Sequence, residues 1–334
     1  MPVINAASAA AFAAPWYQAT HQPVMRKMHR IEATGGTQDA VDAVLNYPFE
    51  RLIYAEGDSW FDKFTPLLET GTNLLDAIST PYFTGVVDVS HIGDVVSDMV
   101  RGGQRRQTEA MFQLFDFDAI LFSGGGNDLK NLFAELYDAQ HSQALSGQTL
   151  APAHFVQLLA GQMASPQADE FFDEVITQIK AFVTLRDRAG SAKTRKAPIL
   201  VNGYDYIQPR PVTGALVGGL LKVAGPWLYP SMKRAGLSDG QMFSAARAVV
   251  DKLNERLHAE VAVLPNVHVI DARGLLDPAL PGSNTASGDW LDEIHPNKAG
   301  FSKLARHRWD AALAQLLGWR PNMADLIPPL DFDR

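Results

Sequence analysis

The sequence predicts a doubly wound α/β protein, because short apolar runs typical of buried strands alternate with longer stretches of helical spacing. Strands that are buried on both faces of a parallel sheet show continuous hydrophobicity instead of alternation. Five runs have this character, at residues 51–55, 86–90, 119–123, 199–202 and 267–270. Helical patterns occupy residues 92–100, 104–115, 170–188, 241–263 and 297–317. In such sheets, function gathers at the loops beyond the carboxyl ends of the strands.

The length of 334 residues is compatible with a single elaborated domain. We expect an N-terminal extension over residues 1–48, a main domain over residues 49–318 and a C-terminal tail over residues 319–334. Two stretches exceed a minimal five-stranded sandwich, at residues 129–169 and 205–239. Both follow the end of a predicted strand, so we expect both insertions to lie over the same edge of the sheet.

The composition excludes several classes of function. The formal net charge is −8, from 29 basic and 37 acidic residues. This balance speaks against a nucleic-acid or anionic-membrane partner, since phosphate binding requires clustered Lys and Arg. The chain has no cysteine, which excludes disulfides, thiol nucleophiles and zinc–thiolate sites. The histidines show no H-E-x-x-H or comparable spacing, so we expect no metal site.

The N-terminal residues weakly resemble a signal peptide. The first 15 are rich in alanine but lack a basic segment, and the first Lys or Arg is Arg26. We therefore expect no cleaved signal and a cytoplasmic location, with secretion as the alternative. The longest apolar stretch, residues 212–223, is too short to span a bilayer and contains Lys222.

The first candidate for chemistry is the sequence Gly57, Asp58, Ser59, which follows the first predicted strand. At the end of a strand and ahead of a helix, such a turn can present a hydroxyl above the sheet. The alternative is a strand-ending turn in which Asp or Ser has an Asx or N-cap role.

A glycine-rich loop at residues 124–126 follows the third predicted strand and continues into Asn127 and Asp128. Its spacing fits neither G-x-G-x-x-G nor G-x-x-x-x-G-K-[ST], which argues against a dinucleotide or phosphate site. The loop does place the side-chain amide of Asn127 at the carboxyl edge of the sheet. The alternative role for that amide is turn capping.

An Asp–His pair near the C-terminus, Asp292 and His295, precedes Pro296. A carboxylate three residues before the histidine can reach its Nδ1–H within one loop, which leaves Nε2 free as a base. The alternative is a helix N-terminus with Pro296 in its first turn. A hydroxyl, an amide and an Asp–His pair at the same predicted sheet edge together favour nucleophilic catalysis.

Taken together, these motifs resemble the SGNH hydrolases, a family of GDSL-like esterases and lipases named for Ser, Gly, Asn and His in four separate blocks. The first block is matched by Ser59 within Gly-Asp-Ser, with Trp60 in place of the usual Leu. The later blocks are matched in family order by residues 90–94 (with Gly93 as the family glycine), 125–128 (G-x-N-D) and 292–296 (D-x-x-H-P).

The resemblance implies a flavodoxin-like three-layer α/β/α sandwich with a central parallel sheet of about five strands. It implies hydrolysis of carboxylic esters through an acyl-enzyme, with Ser59 as nucleophile, His295 as base and Asp292 orienting the imidazole. It also implies an oxyanion hole formed by the backbone N–H groups of Ser59 and Gly93 and by the side chain of Asn127. No cofactor is implied.

We assign substrate binding to side chains expected around the same edge, namely Trp60, Asp128, Tyr204, Leu220 and Trp227. The apolar part of the 205–239 insertion fits a mobile lid over an acyl chain, and equally a hairpin on the core or a dimer interface. We expect a small-molecule or lipid-like ester substrate, and a homo-oligomer is compatible with the sequence. The alternatives are a carbohydrate O-acetylesterase or acyltransferase on the same triad, and a non-catalytic binding protein on this scaffold.

Overall fold

The computed structural model of the chain describes residues 25–62, 73–131, 166–216, 221–234 and 236–318. Leu220 and most of the predicted 129–169 insertion lie outside the described residues, as does the tail after residue 318. Within the described ranges, no helix is both long enough and apolar enough to cross a membrane.

The core of the protein is a parallel sheet of six strands. The described strands, in chain order, are β1 (Arg26–Lys27), β2 (His29–Glu32), β3 (Arg51–Gly57), β4 (Ser79–Thr80), β5 (Thr84–Asp88), β6 (Ala119–Ser123), β7 (Ile199–Asn202), β8 (Gly214–Leu216), β9 (Leu221–Ala224) and β10 (Val267–Ile270). The central sheet has the order β10-β7-β6-β3-β5-β2, and all its pairings are parallel. The remaining strands form two antiparallel pairs, β1 with β4 and β8 with β9.

The strand order confirms the predicted fold class. Without β2, the five predicted strands follow the flavodoxin-like order 2-1-3-4-5. The chain leaves β3 for β5 on one side and later returns to β6 on the other, so the strand order reverses next to β3. The crevice at the carboxyl end of β3 is therefore the place where such a sheet binds ligands.

The sheet contains one strand more than the five that the sequence indicates. Strand β2 pairs with β5 and lies in the segment assigned to the N-terminal extension. Only Ile31 of its four residues is buried, so it lacks the continuous apolar run of an inner strand. Its Arg30 pairs with Asp88 and lies 3.5 Å from Asp62. An edge strand held partly by charges gives no clear strand pattern in the sequence.

Helices flank the sheet. Besides a helical stretch at residues 126–131, the described helices are α1 (Gln38–Asn46), α2 (Leu74–Ala77), α3 (Val96–Met99), α4 (Gly102–Leu114), α5 (Pro166–Asp187), α6 (Ala192–Lys196), α7 (Tyr229–Arg234), α8 (Asp239–Arg256), α9 (Lys298–Leu304) and α10 (Asp310–Leu316). Single π-helical turns follow α8 at Leu257–Val261 and separate α9 from α10 at Ala305–Trp309. Helix α5 contacts α3, α4 and α8, whereas α9 contacts α2.

The helix predicted over residues 92–100 is shorter than expected. Residues 91–94 form a turn in which the N–H of Asp94 donates to the carbonyl of His91, and helix α3 begins only at Val96. Gly93 stands at the third position of this turn with φ +89°, a conformation that glycine adopts at little cost. The turn therefore uses the glycine that the family resemblance singled out.

The second predicted insertion contains the β8–β9 hairpin and helix α7. This segment is attached to Glu293 of the main body at two points. The N–H of Gln208 donates to the carbonyl of Glu293 over 2.7 Å, and the N–H of Tyr229 donates to Glu293 Oε1 over 2.7 Å. The insertion is thus fixed at its base to the loop that carries Asp292 and His295.

Candidate active site

The turn after β3 places Ser59 above the carboxyl end of the sheet. Gly57, the last residue of β3, lies so close to β6 that an added Cβ would be 3.0 Å from the backbone oxygen of Ser123 and 2.9 Å from the Phe61 ring. The N–H of Asp58 donates to that same Ser123 oxygen over 2.9 Å. A glycine is required here because any side chain would push the turn away from the sheet. Ser59 itself is 6% exposed.

Ser59, His295 and Asp292 form a continuous hydrogen-bonded relay. Ser59 Oγ lies 2.7 Å from His295 Nε2, although 236 residues separate the two in the chain. On the other side of the ring, His295 Nδ1 lies 2.9 Å from Asp292 Oδ2 and 3.1 Å from Oδ1. A carboxylate accepts only, so Nδ1 carries the hydrogen and Nε2 is left to accept the serine proton.

The carboxylate of Asp292 is fully buried and is kept ionised by its neighbours. Burial by itself would raise its pKa, but the charge and hydrogen bond of His295 outweigh burial and lower the pKa below its usual range. Two backbone N–H groups, of Ile294 and His295, also donate to Oδ1 over 2.9 and 2.8 Å. An ionised Asp292 both orients the imidazole and stabilises its protonated form.

A second buried carboxylate, Asp58, ties the ends of three strands together beneath Ser59. Its Oδ1 accepts from Ser123 Oγ at the end of β6 over 2.9 Å. Its Oδ2 accepts from the Tyr204 hydroxyl, just beyond β7, over 2.5 Å. The N–H of Trp60 donates to Oδ1 over 3.1 Å. Burial raises the pKa of Asp58, and these hydrogen bonds oppose the rise.

Asn127 lies at the same sheet edge and contacts the loop that carries Gly93. Its Nδ2 donates to the carbonyl of Asp94 over 3.0 Å, and its side chain lines one small cavity together with Ser59. Gly93 is exposed at the tip of its turn. The N–H of His91, two residues earlier, donates to the carbonyl of Gly57, which fixes this loop beside the Ser59 turn.

The five residues assigned to substrate binding occupy different environments. Trp60 is 3% exposed and its Nε1 donates to the carbonyl of Ile294 over 3.1 Å, so the ring packs beneath the site. Tyr204 is also buried and binds Asp58. Asp128 accepts from the N–H of Val96 over 3.1 Å and so caps helix α3, and burial raises its pKa to about 6. Leu220 lies outside the described residues.

Among the described members of this group, Trp227 is the side chain whose ring contacts His295. It is partly exposed, and its ring packs edge to face against the His295 ring with a centroid separation of 5.7 Å. The side chain therefore lies directly beside the imidazole. The indole presents a large apolar surface at this point.

Three residues that matter to the site were not identified from the sequence. Glu293 is fully buried and accepts from four backbone N–H groups, those of Trp227, Leu228, Tyr229 and Arg210. Arg210 is buried and donates to the carbonyls of Trp290 and Asp292. The third, Lys130, donates to Asn127 Oδ1 over 3.2 Å. The roles of Glu293 and Arg210 depend on contacts between segments far apart in the chain, whereas Lys130 lies three positions after Asn127.

The cavity beside Ser59 is small and mostly apolar. Its volume is about 20 Å³, and its lining includes Leu129, Ile207 and Ile294 together with Ser59 and Asn127. That space admits roughly one water-sized group. Among the described residues, no cluster of three or more His, Cys, Asp or Glu side chains could hold a metal ion.

No family model matches the sequence, and no curated protein matches it. Several solved structures are similar in fold. One is a carbohydrate acetylesterase family member from Sinorhizobium meliloti, at 12% identity and a TM-score of 0.45 over 80% of this chain and 99% of that one. Another is the lipase Lip_vut3 from a goat rumen metagenome, at 14% identity and a TM-score of 0.42 over 80% and 98%. A putative SGNH hydrolase from Slackia heliotrinireducens follows at 13% identity and 0.37 over 80% and 99%.

Proposed function

We propose that the protein is a carboxylic-ester hydrolase of the SGNH type that uses Ser59 as its nucleophile. The observation that carries this proposal is the relay from Ser59 Oγ through His295 to the buried Asp292, with separations of 2.7 and 2.9 Å. Nucleophile, base and orienting group stand within hydrogen-bonding reach, as a serine hydrolase requires.

The reaction follows from this arrangement in two halves. Ser59 Oγ attacks the ester carbonyl while its proton passes to His295 Nε2, and the resulting imidazolium is stabilised by Asp292. His295 then gives that proton to the departing alkoxide, which leaves an acyl group on Ser59. A water molecule, deprotonated by His295, attacks the acyl carbonyl. The bond to Ser59 Oγ then breaks, His295 returns its proton to Oγ, and the carboxylic acid is released.

The negative charge on the carbonyl oxygen needs donors in both halves. We assign these to the backbone N–H groups of Ser59 and Gly93 and to Asn127 Nδ2. The common cavity of Ser59 and Asn127 supports the side-chain donor, and the hydrogen bond from Asn127 to Asp94 links it to the Gly93 turn. Preorganised donors of this kind contribute about 10²–10³ each to turnover.

The decisive experiment combines activity with chemical labelling. Hydrolysis of p-nitrophenyl esters by the wild type is compared with Ser59→Ala and with Ser97→Ala, a control serine on α3. We expect Ser59→Ala to lose a factor of about 10⁴–10⁶ in kcat and the control to retain its rate. A fluorophosphonate should label Ser59 in the wild type. A folded Ser59→Ala variant with more than a tenth of the wild-type rate would refute Ser59 as the nucleophile. A folded wild type without measurable hydrolysis would leave a non-catalytic binding protein as the better explanation.

The size of the cavity favours a second, narrower candidate, which is removal of acetyl groups from a carbohydrate or another polyol. A space of about 20 Å³ admits a methyl group but no long acyl chain. An acyl chain lying instead along Trp227 would gain about 0.8 kcal/mol for each buried methylene. The value of kcat/KM, measured from acetate to decanoate esters, separates the two readings. A steady rise with chain length contradicts the acetyl specificity, and a fall beyond acetate or propionate supports it.

A further inference from the structure

A lysine stands next to the amide that we assign to the oxyanion hole. Residues 126–131 are helical, so Lys130 lies one turn after Asn127 on the same face. Its Nζ donates to Asn127 Oδ1 over 3.2 Å, and it lines the same small cavity as Ser59. The side chain is partly buried and is therefore directed at the site and not free in solvent.

The two contacts of the Asn127 side chain determine which way its amide points. An ammonium group has only hydrogens to offer, so the atom facing Lys130 must be the amide oxygen. A backbone carbonyl only accepts, so the atom facing Asp94 must be the amide nitrogen. Both contacts give the same orientation. Nδ2 has two hydrogens, and only one of them is directed at Asp94.

We propose that Lys130 is a positioning residue that acts through Asn127, holding the amide so that the second Nδ2 hydrogen meets the oxyanion. The proposal rests on the ester hydrolysis proposed above. A positive charge on the far side of the amide also polarises it, which makes its N–H a stronger donor. Without Lys130, only one of the two contacts, that with the Asp94 carbonyl, holds the amide, so its orientation is less restrained, and an amide oxygen turned toward the oxyanion would repel it.

The charges around Lys130 give the proposal a pH signature. Burial lowers the pKa of Lys130 below its usual range, while Asp128 and Asp58 act in the opposite direction. As the pH rises, Lys130 loses its charge earlier than an exposed lysine would. Arginine stays protonated throughout this range. Turnover of the wild type should therefore fall on the alkaline side, and turnover of Lys130→Arg should persist to higher pH.

The experiment is a double-mutant cycle on hydrolysis of p-nitrophenyl acetate. We expect Lys130→Met to lower kcat about ten- to a hundredfold with KM within about threefold, since it removes a charged hydrogen bond to the amide. Lys130→Arg should restore most of the rate. In the Asn127→Ala background, Lys130→Met should add less than about a threefold loss, because its target is gone. Lys193→Met, on α6 ahead of β7, is the control for removing a lysine.

The proposal would be overturned if the loss in kcat of the double variant equalled the product of the two single losses. It would also be overturned if Lys130→Met had the wild-type kcat, or if its kcat fell at alkaline pH just as that of the wild type does. Thermal unfolding of each variant separates misfolding from lost turnover, and Lys130→Arg gives an independent reading if Lys130→Met is unstable. Ser59→Ala distinguishes the two levels of the argument. If ester hydrolysis survives Ser59→Ala, the proposed function is wrong. If hydrolysis is lost in Ser59→Ala but unchanged in Lys130→Met, only the role of Lys130 is wrong.

Discussion

Replacing Glu293 by glutamine removes a buried negative charge while leaving the size of the side chain nearly unchanged. Burial raises the pKa of Glu293 to about 7, and the four backbone N–H groups that donate to it only partly offset the rise. In the unfolded chain the same carboxyl titrates near its ordinary value of about 4.3. Between these two values the folded protein holds a proton that the unfolded chain has already released.

The sign of the effect follows from this difference. Because the folded state binds more protons between pH 4.5 and 7, the free energy of unfolding falls as the pH rises through that window. Each pH unit inside the window contributes about 1.4 kcal/mol, so the loss between pH 5 and pH 8 is about 2–3 kcal/mol. Glutamine does not titrate. The stability of Glu293→Gln relative to the wild type should therefore improve by that amount over the same range.

Urea unfolding at pH 5, 6, 7 and 8 measures this difference directly. Other buried acids contribute to the pH dependence of both proteins and cancel when the two are compared. Glu255→Gln, at an exposed position on α8, controls for the substitution itself. The reasoning would be wrong if the difference in the free energy of unfolding between the wild type and Glu293→Gln stayed constant within about 0.5 kcal/mol across this pH range. Glu293 would then carry the same charge in the folded and unfolded states.

Four further outcomes follow from the site. Asp292→Asn should lower kcat by about 10⁴ with the fold intact, because the imidazole would no longer be held in the required tautomer; unchanged circular dichroism is the control. Gly57→Ala should reduce both stability and activity, since its Cβ would meet neighbours at 2.9–3.0 Å; a wild-type melting temperature would contradict this. Tyr204→Phe should cost about 1.5–3 kcal/mol in urea unfolding, the value of a hydrogen bond to a charged group, here the buried Asp58. Trp227→Ala should raise KM more than it changes kcat, because the ring packs beside His295 without a hydrogen bond in the relay; the reverse pattern would place it in the chemistry.

The sequence was informative wherever a local pattern is sufficient. Strands covered by helices on both faces appear as continuous apolar runs, and the inner strands β3, β5, β6 and β7 match the predicted runs closely, as does the edge strand β10. The Asp292–His295 pairing could also be predicted from the sequence, because the two residues lie three positions apart in one loop. Chain order and the rule for strand ends then brought Ser59 and Asn127 to the same edge.

Other features depend on contacts that no local pattern carries. Strand β2 has a single buried apolar residue and pairs its arginine with acids from other segments. Glu293 looks like a variable position inside D-x-x-H-P, yet it accepts from N–H groups that lie 64 to 83 residues earlier in the chain. Asp128 resembles a site residue by its place in the motif, and in the structure it caps helix α3. Burial and long-range hydrogen bonding decide these roles.

The turn that carries Ser59 is held by hydrogen bonds beneath it. An attacking hydroxyl must be held within a few tenths of an ångström of its base, and a turn at the end of a strand is not rigid by itself. Asp58 restrains the turn, because it accepts hydrogen bonds from groups at the ends of β6 and β7 as well as from its own turn. Because Asp58 directly precedes Ser59, any shift of the serine must break hydrogen bonds inside a buried cluster. The loop that carries Asp292 and His295 is held in a similar way, because Arg210 donates to the carbonyl of Asp292. Each of the two loops thus has hydrogen bonds of its own to the body of the protein, and the hydrogen bonds between Ser59 and His295 and between Trp60 and Ile294 join them.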